Sequence, residues 1–233
     1  MTTDGYPLPP RPVSMPKLLH NHRVFWRQFR DNYHTTGAIA PSSRFLGRAL
    51  ARYVGNDPSR PQKVLEVGPG TGSVTQHIVR RLGSQDTFDL VELNEQFVRR
   101  LHERFATEKS FSHVAGRCRV LHQRLESLPR SGTYDVIVSG LPLNNFTVAD
   151  VEHILDTFSG LLRPGGVLSF FEYVAIRQAR ALVSSRQERA RLKGIAKALG
   201  SLLGAHEIKR DCVWPNLPPA WVHHVRLSAA GTD

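Results

Sequence analysis

A short apolar run followed by three closely spaced glycines constrains this chain more than any other stretch. Residues 64–67 (Val-Leu-Glu-Val) predict a buried strand, Gly68, Gly70 and Gly72 follow in the order Gly-x-Gly-x-Gly, and residues 74–82 have the apolar spacing of an amphipathic helix. A strand, a glycine turn and a helix form the first half of a nucleotide-binding α/β unit. Glycine lets such a turn adopt positive φ and lets the backbone approach a ligand closely. The alternative is a turn that only allows the helix and the strand to pack closely.

Two acids near this turn indicate which nucleotide it binds. Glu66 lies just before the first glycine, where a carboxylate would repel phosphate but would suit a ligand with an ammonium group. Glu92 ends the next apolar run, at the position where an acid can accept hydrogen bonds from both hydroxyls of a ribose. Ser73 stands where a dinucleotide site has its third glycine, and no P-loop lysine follows. The pattern predicts S-adenosylmethionine, which has a ribose and an ammonium group but no phosphate.

The net charge of +11 is unevenly distributed along the 233 residues. Residues 1–60 contain nine Lys and Arg against three Asp and Glu, residues 174–210 contain nine against two, and residues 61–173 contain twelve against thirteen. Two basic blocks that flank a neutral centre favour a polyanionic partner, either a nucleic acid or an anionic membrane surface. The alternative is that the charge serves only solubility, which gives no reason for its segregation.

The location expected for the chain is the cytoplasm, in peripheral association with a membrane. No run approaches the roughly 20 apolar residues that a spanning helix needs, and the N-terminus lacks the pattern of a secretory signal. Cys118 and Cys212 lack metal-ligand spacing and are predicted to be free thiols in a reducing compartment. No metal is expected.

The chain divides into three predicted parts. Residues 1–16 are rich in proline and predict a flexible tail. Residues 17–55 predict two helices, of which the first, over 17–33, has aromatic side chains on one face and cations on the others, as is typical of an interfacial membrane helix. The alternative is that this apolar face packs on the domain. Residues 56–233 predict the α/β domain, with a basic helical insert at about 177–203. Within this domain, residues 163–166 (Arg-Pro-Gly-Gly) predict a turn before a fifth strand over 167–173.

Five segments resemble the bacterial phosphatidylethanolamine N-methyltransferases, which are class I S-adenosylmethionine-dependent methyltransferases. They are Thr-Gly-Ala-Ile-x-Pro-Ser-Ser at 36–43, Leu-Glu-Val-Gly-Pro-Gly-Thr-Gly at 65–72, Val-Glu-Leu-Asn at 91–94, Ser-Gly-Leu-Pro-Leu at 139–143 and Asn-Leu-Pro-Pro-Ala at 216–220. The resemblance implies a Rossmann-like α/β fold. Its sheet is expected to be mostly parallel and seven-stranded, with helices on both faces and an antiparallel last strand pair.

The resemblance also implies the activity. The expected reaction is transfer of a methyl group from S-adenosylmethionine to the amine of phosphatidylethanolamine at a membrane surface, towards phosphatidylcholine. The partners are therefore an anionic membrane and an amine-headed phospholipid. The sequence leaves open the number of methyl groups, the general base, the acyl-chain preference, the oligomeric state and whether another amine lipid, such as an ornithine lipid, is the substrate.

The predicted site residues fall into three groups. The cofactor is expected to contact Ser42, Ser43, Glu66, Gly68, Gly70, Gly72, Glu92, Leu93, Arg124, Leu125, Ser139, Gly140 and Leu141. Tyr33 and Asn144 are predicted to orient the amine. The substrate or membrane is expected to contact Trp26, Arg27, Arg30, Pro142, Arg180, Arg189 and Lys193. Arg124 departs from the superfamily, which often has an aspartate there, so adenine recognition is expected to depend on backbone groups.

A second function class is suggested by a more distant resemblance to the ribosomal RNA adenine dimethyltransferases, through the glycine loop and residues 139–142. Those enzymes have an Asn-Leu-Pro-Tyr/Phe loop whose aromatic ring stacks on a flipped base. Leu143 occupies that position here, and leucine cannot stack in this way. A nucleic acid is therefore the less favoured partner. A membrane-bound adaptor without catalytic activity is the third possibility.

Overall fold

The computed structural model describes residues 44–57, 59–174, 185–216 and 218–227. All of them lie within one unit that spans residues 40–233. The predictions for the proline-rich tail and for the helix over 17–33 fall outside the described residues. So do seven predicted site residues: Trp26, Arg27, Arg30, Tyr33, Ser42, Ser43 and Arg180.

The described residues form a seven-stranded sheet in the order β3-β2-β1-β4-β5-β7-β6. Its strands are β1 (Lys63–Val67), β2 (Thr87–Glu92), β3 (Cys118–His122), β4 (Tyr134–Ser139), β5 (Leu162–Tyr173), β6 (Glu207–Val213) and β7 (Ala220–Arg226). Strands β1 to β5 pair in parallel, whereas β7 is antiparallel to both β5 and β6. The predicted Rossmann-like fold, with its antiparallel last strand pair, is confirmed.

Six α-helices connect or flank the strands in the described part of the chain. They are α1 (Arg44–Leu50), α2 (Thr75–Val79), α3 (Glu95–Thr107), α4 (Lys109–Ser112), α5 (Val148–Leu161) and α6 (Arg186–His206). Polar caps define where the longer helices begin: the side chains of Asn94, Thr147 and Ser185 each accept a hydrogen bond from a backbone N–H of the first turn. At α5 the N-cap Thr147 and Asp150 complete a capping box.

Helix α1 packs into the same core as the central sheet. Its residues Leu46 and Leu50 are buried in one cluster with Val64 of β1, Ile78 of α2 and Phe88 of β2. Strand β4 is buried along its whole length, as expected for the centre of a parallel sheet that is covered on both faces. This burial fixes the carboxyl ends of β1, β2 and β4 next to one another, which is where ligands bind in open α/β sheets.

Two segments differ from the sequence prediction. Residues 163–166, predicted as a turn before the fifth strand, lie inside β5, where the pairing with β4 shifts between Leu162 and Val167. The left-handed Gly165 (φ 76°) makes this irregularity possible. The helix predicted from residue 177 is described from Arg186 onward and extends to His206. Within the described residues, no helix is both long and apolar enough to span a bilayer.

Candidate active site

The glycine loop adopts the backbone conformation that its sequence predicts. Gly68, Gly70 and Gly72 have φ values of 68°, 56° and 82°, in the left-handed region that L-residues with side chains rarely adopt. A Cβ on Gly68 would lie 2.9 Å from the Cδ2 atom of Leu141. The three glycines are therefore required by the backbone here, and the close approach at Gly68 brings the loop against the segment that follows β4.

The segment that follows β4 lies directly beside the glycine loop. The backbone N–H of Gly140 donates to the carbonyl oxygen of Val67 at 2.8 Å. A Cβ on Gly140 would lie 2.6 Å from the carbonyl oxygen of Gly68, so a side chain would push the two loops apart. Ser139 and Leu141 are buried next to this contact. The predicted residues at 68 and at 139–141 are thus brought together at one edge of the sheet.

Glu92 connects the glycine loop to the end of β2. Its Oε1 accepts hydrogen bonds from the backbone N–H groups of Leu93 and Asn94, both at 2.8 Å, and its Oε2 accepts one from Gly70 at 3.1 Å. Burial raises the pKa of this carboxyl, and the three N–H donors act against that shift. Each carboxylate oxygen can accept more than one hydrogen bond. Glu92 can therefore bind hydroxyl groups of a ligand while it orders the loop.

Glu66 is the most deeply buried acid of the site, with 1% of its surface exposed. Its Oε2 accepts a hydrogen bond from the Thr75 hydroxyl at 2.7 Å, whereas its Oε1 has no hydrogen-bond partner among the described residues. Burial raises the pKa of Glu66 to about 8. Because buried polar atoms are normally hydrogen-bonded, this oxygen indicates a ligand with a donor or a positive charge.

Arg104 of α3 is a site residue that the sequence analysis missed. Its Nη1 donates to the carbonyl oxygens of Thr71 and Gly72, at 2.8 and 2.9 Å, and its Nε and Nη2 form a fork on Glu108. The guanidinium therefore fixes the end of the glycine loop to a helix 32 residues further along the chain. The Arg-x-x-x-Glu spacing on one helical face was the available signal, but it indicates an ion pair and not a contact with the loop.

Residues after β2 and β3 continue the same edge of the sheet. The carbonyl oxygen of Leu93 lies 3.1 Å from Nε2 of His122. Arg124 is half-buried, and its Nε lies 3.8 Å from a carboxylate oxygen of Glu126. The side chain of Leu125 is buried. These residues lie at the carboxyl edge of the sheet, where the glycine loop also lies. The predicted contacts of Arg124 and Leu125 with adenine stay predictions.

The loop at residues 140–146, hereafter the β4 loop, borders the site on its other side. Asn144 has 7% of its surface exposed, and its Oδ1 has no hydrogen-bond partner among the described residues. Leu143 and Phe146 are buried, and Pro142 is half-buried. The other predicted substrate residues, Arg189 and Lys193, are exposed on α6. The structure thus places Asn144 at the carboxyl edge and the two cations on a separate surface.

Comparison with known proteins shows which class of enzyme this chain resembles. Residues 64–166 match the family model described as a methyltransferase domain. The chain is 30% identical over 146 residues to ornithine lipid N-methyltransferase of Singulisphaera acidiphila, which covers 63% of this chain and 74% of that protein. It is 31% identical over 138 residues to ribosomal RNA small subunit methyltransferase A of Pseudomonas aeruginosa, which covers 59% of this chain and less than half, 46%, of that protein.

A solved structure supports the fold. An O-methyltransferase of tomaymycin synthesis from Streptomyces achromogenes, in complex with S-adenosylmethionine, superposes with a TM-score of 0.64 at 16% identity and covers 88% of this chain and 89% of that one. The chain described here therefore belongs to the class I S-adenosylmethionine-dependent methyltransferases. Its cofactor is S-adenosylmethionine, as the glycine loop and the two acids predict.

The residues of the site fit this cofactor. Glu66 presents a buried oxygen that has no partner among the described residues, which suits a ligand with positive charge. The left-handed glycines carry no side chain, so the backbone of the loop can approach a ligand closely. Glu92 keeps lone pairs for hydroxyl groups. None of these groups requires a metal or a phosphate.

Proposed function

We propose that this methyltransferase transfers a methyl group to the amine head group of a lipid at the surface of an anionic membrane. Phosphatidylethanolamine is the substrate that the sequence motifs favour, and an amine lipid such as an ornithine lipid is the alternative. The observation that carries the proposal is a row of exposed cations on α6, the helix that also contacts the β4 loop. The name of the relative from Singulisphaera acidiphila supports an amine lipid as the substrate class.

The row of cations occupies one face of α6. Positions 186, 189, 193 and 197 are three or four residues apart and therefore share a face of a helix. The side chains buried by α6 are Leu192, Ile195 and Leu199, which lie on the opposite face. The exposed cations, hereafter the cationic stripe, are Arg186, Arg189, Lys193 and Lys197.

The cationic stripe provides enough electrostatic attraction for reversible binding to an anionic membrane. A cation near an anionic bilayer contributes roughly 1 kcal/mol, so four of them together favour binding by several kcal/mol. Arg191, which belongs to the same basic run, does not contribute, because its guanidinium is paired with Glu188. The attraction is electrostatic and is therefore expected to weaken as salt is added.

The β4 loop can orient an amine. A primary amine has a pKa of about 10, by analogy with lysine, and burial lowers it because a charged group is costly to desolvate. The Oδ1 of Asn144, which no described residue contacts by a hydrogen bond, is an acceptor for an amine N–H and directs the nitrogen lone pair away from itself. When bound, the cofactor would supply a methyl group on a sulfonium, whose carbon–sulfur bond breaks to release a neutral thioether as the deprotonated amine nitrogen bonds to the methyl carbon. The task of this chain is then to align the amine and to exclude water.

A ribosomal RNA substrate is less compatible with the β4 loop. Leu143, at the position of the stacking aromatic ring, has 1% of its surface exposed. A side chain that is packed in the core does not present a face on which a base could stack. The relative from Pseudomonas aeruginosa nevertheless makes RNA the acceptor that a test must include.

The proposal is tested by competition among acceptors. The full chain is incubated with S-adenosylmethionine labelled in its methyl group and with three acceptors: anionic vesicles with phosphatidylethanolamine, anionic vesicles with an ornithine lipid, and unmodified small-subunit ribosomal RNA. We expect label in the lipid fraction, and the more strongly labelled vesicle identifies the lipid. Label that is confined to the RNA would overturn the proposal.

Charge reversal in the stripe should separate membrane binding from the rest of the fold. We expect the double variant Arg189→Glu, Lys193→Glu to bind anionic vesicles roughly thirtyfold or more weakly, because two attractions are replaced by repulsions. The matched control is Arg99→Glu, Lys109→Glu, which makes the same change in net charge at exposed positions of α3 and α4. Vesicle sedimentation measures the binding of both double variants. Equal losses in the two variants would show that only net charge matters.

A further inference from the structure

Arg191 is a cation of α6 that points into the molecule. Its side chain is 22% exposed. Nη1 donates to the backbone carbonyl oxygen of Asn144 at 3.0 Å and also to that of Phe146. Nε and Nη2 form a fork on the Glu188 carboxylate at 2.8 and 2.6 Å. The guanidinium is thus held by its own helix in an orientation that binds the β4 loop.

The contacts of Arg191 fall on the part of the β4 loop that carries Asn144. Residues Leu143–Asn145 form a single 3-10 turn, and α5 begins only at Val148. Short 3-10 turns have weaker hydrogen bonds than α-helices, so an external donor to their carbonyl oxygens has a large effect on their order. Arg191 thus binds the carbonyl oxygen of the same residue whose Oδ1 has no hydrogen bond within the described part of the chain.

A second contact joins the same two elements. A Cβ on Gly194 of α6 would lie 2.6 Å from Cγ2 of Val148, the first residue of α5. Glycine at 194 therefore allows α6 to approach the start of α5 closely, two residues beyond the β4 loop. Arg191 and Gly194 lie one turn apart, so α6 contacts both the loop and the helix that follows it.

The first turn of α6 is weakly held by apolar packing. The first buried residue of the helix is Leu192, and Arg186, Gln187 and Arg189 are exposed. Helix ends with few buried contacts open locally at a low cost in free energy. This end is fastened by the Ser185 cap, by the Glu188–Arg191 pair and by the contacts of Arg191 with the loop. Two cations of the stripe, at 189 and 193, flank Arg191 on the opposite side of the helix.

We propose that Arg191 is a positioning residue that couples the cationic stripe to the β4 loop. Binding of the stripe to an anionic surface stabilises the first two turns of α6 by mass action. Through Arg191 it then also fixes the carbonyl oxygens of Asn144 and Phe146, and with them the residue whose amide is proposed to accept a hydrogen bond from the amine. The inference rests on the proposed function for its membrane, and it predicts that the β4 loop is better ordered when the enzyme is bound.

Backbone hydrogen exchange tests the coupling without any methyl transfer. The full chain is mixed with vesicles of anionic phosphatidylglycerol that contain no amine lipid, and exchange is measured over residues 142–147. In the wild type we expect vesicles to slow this exchange about tenfold or more. At a vesicle concentration that binds both proteins fully, we expect no slowing in Arg191→Met. The control Arg99→Met loses the same charge on α3 and should behave as the wild type.

A second variant guards against a general loss of structure. Arg191→Lys keeps the charge but cannot form the fork and the two loop contacts at once, so we expect partial slowing and a reduced kcat at an unchanged KM for S-adenosylmethionine. If vesicles slowed hydrogen exchange in Arg191→Met as much as in the wild type, the coupling would be overturned. The coupling would also be overturned if the wild type bound vesicles without slower hydrogen exchange in the β4 loop. That result would leave the membrane proposal intact. Absence of vesicle binding would overturn both proposals together.

Discussion

Replacement of Glu92 by alanine is expected to weaken the binding of S-adenosylmethionine on the order of a hundredfold. The carboxylate accepts hydrogen bonds from Gly70, Leu93 and Asn94, and the motif predicts two more from a ribose. Hydrogen bonds to a charged acceptor contribute roughly 1.5–3 kcal/mol each, so losing the two ribose contacts costs about 3 kcal/mol or more, which is on the order of a hundredfold in affinity. Isothermal titration calorimetry with the cofactor measures this loss.

Two controls show whether the loss of affinity is specific to Glu92 and leaves the rest of the fold intact. Glu103→Ala removes an exposed acid of α3 and should leave affinity unchanged. Vesicle sedimentation of Glu92→Ala should equal that of the wild type, because the cationic stripe lies on another element. A dissociation constant for Glu92→Ala within a few-fold of the wild-type value would refute the assignment of Glu92 to the ribose.

The second large effect expected is a dependence of cofactor affinity on pH. Burial raises the pKa of Glu66 to about 8, so the carboxyl is largely protonated in the cofactor-free protein at neutral pH. A positively charged ligand favours the ionised form, so its binding must release that proton. We therefore expect affinity for S-adenosylmethionine to rise about tenfold per pH unit between about pH 6 and 7.5. Titrations at several pH values measure this slope.

Glu66→Gln provides the matched variant, because the amide keeps the size of the side chain but cannot ionise. We expect its affinity to be nearly independent of pH and, at pH 7.5, lower than that of the wild type. A wild-type profile as flat as that of Glu66→Gln would contradict the assignment of Glu66 to the charged part of the cofactor.

The same pKa shift affects the stability of the cofactor-free protein, and its sign follows from linkage. The folded state binds the proton of Glu66 more tightly than the unfolded state does, because in the unfolded state the carboxyl keeps its ordinary pKa near 4.5. The free energy of unfolding should therefore fall as pH rises from about 4.5 to about 8. Glu66→Gln should remove this part of the decline.

The central half of the fold could be predicted because its signals are local. The glycine spacing and the two acids each lie within one strand and the turn that follows it, and the structure joins them by a hydrogen bond between Gly70 and Glu92. The individual strands followed from apolar runs of the right length, whereas the direction of their pairing was implied by the family resemblance. Even the irregular run at 163–166 was recognised as a break, although the structure places it within β5.

The residues that the sequence analysis missed act over long separations on backbone atoms. Arg104 binds the carbonyl oxygen of Gly72, and Arg191 binds that of Asn144, 47 residues away. A carbonyl oxygen has no sequence signature, so no pattern could indicate these contacts. In the sequence Arg191 was one cation of a basic run, and only the fold distinguishes it from Arg189 and Lys193, which face outward.

The most direct test of the account is a lipid-product measurement on vesicles of varied charge. The full chain and S-adenosylmethionine are incubated with vesicles that hold a constant fraction of phosphatidylethanolamine or ornithine lipid and an increasing fraction of phosphatidylglycerol. Mass spectrometry of the extracted lipid then follows the gain of methyl groups on the amine. The account predicts methylated lipid whose rate of formation rises steeply with phosphatidylglycerol and falls in Arg189→Glu, Lys193→Glu. Unmodified amine lipid at every vesicle charge, with the cofactor bound, would contradict it.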